Sequence, residues 1–206
     1  MITIIDYDAG NMRSVEKAFT HLGCEVCITS DPDKILSAKK LVLPGVGSFR
    51  DAMERLHERG LTDCIKTAVQ TDIPLLGICL GMQLMYEYSE EGNAEGLGIL
   101  KGNIRHFPED MGLKIPQIGW NSLEPLRPSI LLHGLNENPY VYFVHSYYVD
   151  SAEPETVAAT THYGIHPHVL VEKGSLFLTQ FHPEKSGQTG LHMLKNFAQF
   201  QPGGTK

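Results

Sequence analysis

Basic residues are the minority charge in this chain. Lys and Arg number 17 against 24 Asp and Glu, a formal net charge of -7. That balance argues against a protein that holds nucleic acid or an anionic membrane by charge alone. No apolar run approaches the roughly 20 residues a bilayer-spanning helix needs. No basic region with a cleavage site precedes the first strand-like segment. Cysteine is scarce, at four in 206 residues. Cys24 and Cys27 have C-x-x-C spacing, but no second pair completes a zinc site, so neither a metal nor another cofactor is expected. The expectation is a cytoplasmic chain with reduced thiols. Internal repeats, low-complexity segments and dividing linkers are also missing. Residues 1–206 are therefore expected to form one domain, with 201–206 as a frayed tail.

What is present alternates between strand and helix patterns. Residues 2–6, 25–29 and 41–43 are short apolar runs read as buried strands. Between them, Val15, Ala18, Phe19 and Leu22 recur at helical spacing, and Asp31-Pro32 has the form of a helix start. Further helical patterns carry Phe49, Met53 and Leu56, then Leu61, Cys64, Ile65 and Ala68. This rhythm predicts a parallel α/β sheet. Downstream, residues 90–98 read as a surface loop. Strands are expected over 140–149, 157–161, 168–172 and 175–181, with Lys173-Gly174 as a hairpin turn. A last helix carries Leu191, Leu194 and Phe197. His162, His166 and His168 have no carboxylate or Cys at ligand spacing and read as a polar surface loop.

One stretch carries chemistry. Residues 74–78 read as a buried strand and 82–87 as a helix, with Gly77-Ile78-Cys79-Leu80-Gly81 between them. A nucleophile framed by two glycines at a strand-to-helix turn is a nucleophile elbow. The turn brings the sulfur to the C-terminal edge of a sheet, where open α/β folds build their sites. It also faces the positive end of the helix. A cysteine nucleophile needs a base, and the base an orienting group. His182-Pro183-Glu184 follows a strand end. Pro183 biases His182 towards extended backbone, so Glu184 two residues on can share its direction. The Leu80 N–H is the usual first oxyanion donor of an elbow. The loop Pro44-Gly45-Val46-Gly47 is flexible enough to turn further N–H groups towards a ligand. Gln83, one helical turn beyond Cys79, can face the same pocket.

Cys79 with residues 77–83, and Gln180-Phe181-His182-Pro183-Glu184, resemble the class I, triad-type glutamine amidotransferases. Other segments resemble one branch, the glutaminase subunits of imidazole glycerol phosphate synthase. These are Asp6-Tyr7 with Gly10-Asn11, residues 44–49, Glu95-Gly96-Leu97-Gly98, Pro116 with Gly119-Trp120-Asn121, and residues 142–147. Two positions depart from that pattern: Asp8 stands where the family usually has Gly, and Gln117 where it usually has His. The resemblance implies a three-layer α/β domain with a mostly parallel, flavodoxin-like sheet. It implies a Cys79–His182–Glu184 triad and an oxyanion site from Leu80 and the Gly45, Val46, Gly47 loop. Gln83, His145, Ser146 and Tyr147 would line a glutamine site. Asn11, Gln117, Trp120 and Asn121 would lie towards a separate synthase subunit, a (β/α)₈ barrel that receives the ammonia. Three alternatives stay open here: a sister glutaminase serving a surface-sugar amidotransferase, a cysteine peptidase on the same elbow, and a scaffold without activity.

Overall fold

The computed structural model describes residues 1–8 and 10–203. Its first half is β1 (Ile2–Ile5), α1 (Met12–His21), β2 (Val26–Thr29), α2 (Pro32–Leu36), β3 (Leu41–Gly45), α3 (Phe49–Glu58), α4 (Leu61–Gln70) and β4 (Leu75–Cys79). Asp31 caps α2 as expected, its carboxylate accepting from the Asp33 N–H at 3.0 Å. The second half holds α5 (Leu80–Gln83), β5 (Tyr88–Ser89), β6 (Ala94–Glu95), β7 (Gly102–His106), β8 (Gln117–Ser122) and β9 (Glu124–Pro125). It continues through β10 (Tyr140–His145), β11 (Tyr147–Ser151), β12 (Val157–Thr160), β13 (His168–Lys173), β14 (Leu176–Thr179) and α6 (Gly187–Gln199).

The strands β2-β1-β3-β4-β14 run parallel, in the order of a flavodoxin-like sheet. From β14 the same sheet continues through β13, β11 and β7, antiparallel at each step. Alternate residues of the parallel strands feed two cores, because successive side chains of a strand point to opposite faces. Leu43, Leu75 and Leu178 join α3 and α4 on one face. Val42, Leu76 and Phe177 join α1 and α6 on the other.

Three expectations about elements are corrected. The helix expected over 82–87 stops at Gln83. The carbonyls of Leu84, Met85 and Tyr86, which would accept from a next helical turn, are taken instead by N–H groups of Leu97, Gly98, Ile99 and Leu100. The loop over 90–98 is less open than expected: it carries β6 and buries Leu97. The single strand expected over 140–149 breaks at Ser146. Among the described residues its first part, β10, pairs only with β8, in a two-stranded ribbon apart from the main sheet, and its second part, β11, enters that sheet. Gln201, Pro202 and Gly203 continue no helix, and the rest of the expected frayed tail lies outside the described residues.

Candidate active site

Four strand ends converge on one cavity of about 430 Å³. β4 ends in Cys79, whose backbone is held at φ 54° and ψ -109°. A residue other than glycine in so sparsely populated a region costs of order 1–3 kcal/mol. The glycines on either side explain how that turn packs. A methyl group on Gly81 would run into the Leu43 carbonyl, and one on Gly77 would lie 2.8 Å from the Gly81 oxygen. The elbow read from sequence is therefore present. The helix behind it is a single turn, so its dipole is too short to be the main source of positive charge at the sulfur.

His182 supplies that charge. It is fully buried, and its Nδ1 meets Glu184 Oε1 at 2.7 Å. Burial works against its protonated form. The Cys79 sulfur and the Glu184 carboxylate outweigh burial and push its pKa up to about 9. Its Nε2 is turned to the Cys79 sulfur. The same Glu184 oxygen accepts from Asn11 Nδ2 at 2.5 Å. Asn11, expected at a partner surface, is half-buried, and its side chain steadies the carboxylate behind His182.

The remaining expected residues divide. Leu80, Val46 and Gly47 line the cavity beside Cys79, as do Gln83, His145, Ser146 and Tyr147. Gly45 does not: it ends β3 directly opposite Cys79, packed where a side chain would meet the Tyr7 hydroxyl. Its smallness serves packing there. Gln83 faces the cavity, but its Nε2 is already committed. It donates to the Tyr147 carbonyl at 3.0 Å and to Gln180 Oε1 at 2.9 Å.

The ribbon explains Gln117. Ribbon positions alternate, so Ile118, Trp120 and Tyr140 face outward, 62%, 55% and 58% exposed, while Gln117 and its cross-strand partner His145 face inward. Gln117 is therefore buried rather than offered to a partner, which corrects its expected place on the interface. Burial pushes the His145 pKa down to about 4 despite the hydrogen bond to Tyr147. The neutral ring donates from Nδ1 to the Tyr147 carbonyl at 2.8 Å. Its Nε2 is then an acceptor; it lies 3.0 Å from Gln117 Oε1, so the hydrogen bond closes with the Gln117 amide turned over to present its NH₂. Asn121 ties the ribbon to the next loop, donating to the His162 carbonyl at 2.9 Å. The histidine group divides: His162 and His166 keep their ring centres 5.0 Å apart, with His166 meeting Glu124 at 3.0 Å, whereas His168 accepts from the Ser151 N–H. Glu124 is the nearby carboxylate that sequence spacing hid.

Glu91 is a site residue that sequence reasoning missed. It lines the cavity, its carboxylate anchored by the Phe49 N–H at 3.0 Å. Burial raises its pKa, and the Phe49 hydrogen bond opposes that shift. It sits in an acid-rich loop whose composition suggested only solvent, and nothing local marks it out.

Comparisons with known proteins agree with this geometry. The family model "Glutamine amidotransferase class-I" matches residues 3–200. The chain is 48% identical over 201 residues to "Imidazole glycerol phosphate synthase subunit HisH" of Chlorobium luteolum, covering 97% of this chain and 100% of that one. It is 50% identical over 200 residues to the subunit of the same name from Caldanaerobacter subterraneus, covering 97% and 98%. Among solved structures, a glutamine amidotransferase superposes with a TM-score of 0.74 at 22% identity, covering 96% and 100% of the two chains. PurLQS from Thermotoga maritima superposes equally well at 18% identity, covering 96% of each. The chain belongs to the class I glutamine amidotransferases, within the HisH branch of that family.

Proposed function

We propose that this chain is the glutaminase subunit of an imidazole glycerol phosphate synthase of histidine biosynthesis. It hydrolyses glutamine and passes the ammonia to a separate cyclase subunit, a (β/α)₈ barrel. The observation that carries this reading is the strained Cys79 elbow on the wall of a cavity of about 430 Å³, with the buried His182–Glu184 pair beside it.

In the first half-reaction Cys79 Sγ attacks the carboxamide carbon and its proton passes to His182 Nε2. The carbonyl electron pair moves onto oxygen. The Leu80 N–H and the loop of Val46 and Gly47 hold the oxyanion. As the tetrahedral intermediate collapses, the C–N bond breaks and His182 returns its proton to the leaving nitrogen, giving ammonia and a thioester. Water then attacks the thioester, His182 takes the water's proton, and the sulfur leaves. Glu184 keeps the ring in the tautomer both halves need and stabilises the imidazolium. Asn11 holds Glu184 in turn.

Glutamine binding follows from charge. Glu91 and the free oxygen of Gln83 are acceptors in the cavity wall, and both suit an α-ammonium group. Ser146, Tyr147 and the neutral His145 line the same cavity. The outward face of the ribbon, Ile118, Trp120 and Tyr140, suits an apolar partner surface. Among the described residues no helix is long and apolar enough to cross a membrane. We assign the chain to the cytoplasm, which its free cysteines at 24, 27, 64 and 79 support. We also assign the whole chain to one glutaminase domain.

The test is Cys79→Ala in the complex with its cyclase. Glutamine-dependent turnover should vanish while turnover on added ammonium salt persists. Retained glutamine-dependent turnover would remove Cys79 from the reaction.

A further inference from the structure

A run of polar side chains ends on the nucleophile. Gln180 is fully buried just past the end of β14, two residues before His182. Its Nε2 lies 3.7 Å from Cys79 Sγ, a normal length for an N–H donated to sulfur. The orientation of this amide matters, because a flipped Gln180 would aim an oxygen at the sulfur and repel negative charge there. Three links settle it. The Tyr147 carbonyl can only accept, so Gln83 must present its NH₂ to it. The same NH₂ reaches Gln180 at 2.9 Å, so Gln180 must present its oxygen to Gln83. The NH₂ of Gln180 is then the end that meets Cys79. The backbone carbonyl of Tyr147 thus fixes, through two side chains, a donor aimed at the reacting sulfur.

We propose that Gln180 is a further catalytic residue: its side-chain N–H donates to Cys79 Sγ and stabilises the sulfur whenever it carries negative charge. That charge arises twice, as the thiol gives up its proton before attack and again as the sulfur leaves the thioester. His182 Nε2 cannot serve the sulfur throughout, because it carries the proton to ammonia and then takes one from water. Gln180 moves no proton and stays in place through both halves. The amide is buried and the donor preorganised, conditions under which a hydrogen bond to a charged atom is strong. The arrangement also gives Gln83 two tasks. Its NH₂ orients Gln180 while its oxygen faces the substrate cavity.

The inference rests on Cys79 being the nucleophile, so the experiment measures three chains side by side, each in the complex with its cyclase: wild type, Cys79→Ala and Gln180→Met. Met is close to Gln in size and length and donates nothing. Gln180→Met should lower kcat for glutamate release about 10- to 100-fold, the range for one hydrogen bond to a charged group. KM for glutamine should change little. Alkylation of Cys79 by chloroacetamide, which needs no glutamine site, should slow as well. Gln180→Asn keeps a buried amide but draws it back by one methylene. It should show the same loss of kcat and guards against a folding defect in the Met variant. If both variants keep wild-type kcat, or if only KM rises, Gln180 merely supports Gln83 and the proposal fails. If Cys79→Ala still releases glutamate, the glutaminase reading itself fails, whatever Gln180 does.

Discussion

His182 stands between two groups that favour its charge, and that placement has a pH signature. Its folded-state pKa, about 9, lies above the roughly 6.5 of an unfolded histidine. Stability from this contact is therefore whole below about pH 6.5 and is lost as pH rises through about 9. The imidazolium that donates to ammonia is lost over the same upper window. Glutamine turnover should fall above about pH 9, measured as kcat/KM against pH in the complex. Glu184→Gln removes one of the two charges and should move that fall to lower pH. It should also reduce kcat, by less than the roughly 10⁴ of the equivalent serine-triad change, because a thiol needs less help from its base. An unmoved pH limb would take Glu184 out of the site. Asn11→Asp places a like charge beside the same carboxylate. It should lower kcat about tenfold or more at constant KM, and equal kcat would show that Asn11 does no positioning.

At the scale of elements, the elbow works because β4, α5 and β3 pack without side chains between them. Gly81→Ala would push a methyl group into the Leu43 carbonyl, a backbone atom that cannot swing aside. Urea unfolding should show a loss of about 2 kcal/mol or more, beyond the usual change for a surface substitution. A loss below about 0.5 kcal/mol would mean that α5 shifts freely. This elbow was legible in the sequence because its signal is local: two glycines, a Cys and a strand before them. His182 and Glu184 were legible for the same reason, being two residues apart at a strand end. Glu91, Asn11 and Gln180 were not legible in their observed roles. The contact of Asn11 with Glu184 spans 173 residues, and that of Gln180 with Cys79 spans 101. No spacing rule foresees such meetings. The early end of α5 has a similar origin: hydrogen bonds from residues 97–100 override a helical pattern that is sound by itself. Gln117 was misplaced for want of one fact, the parity of the ribbon, which only the pairing with β10 supplies.

At the scale of the molecule, one half is parallel and builds the reaction, while the other is antiparallel and closes over it. The parallel half was readable from alternation of strand and helix. The antiparallel half was readable as strands, but their order was not, since adjacency in the sheet is set by tertiary pairing. Within the antiparallel half the ribbon joins the main sheet at Ser146, between His145 and Tyr147 on the cavity wall. The ribbon therefore has an optical consequence. Its outer face carries the only tryptophan in the chain, Trp120, with Tyr142 across from it at a ring-centre distance of 6.2 Å. Half-exposed indole emission responds to small changes in solvent contact, and every emitted photon excited at the red edge comes from this one ring. Binding of glutamine to the Cys79→Ala chain presses on Ser146 and Tyr147, so the emission maximum should shift as the cavity fills, giving a titration curve without any label. A spectrum indifferent to saturating glutamine would mean that the wall and the ribbon move independently; a shift would make Trp120 a built-in gauge of what the buried cavity holds.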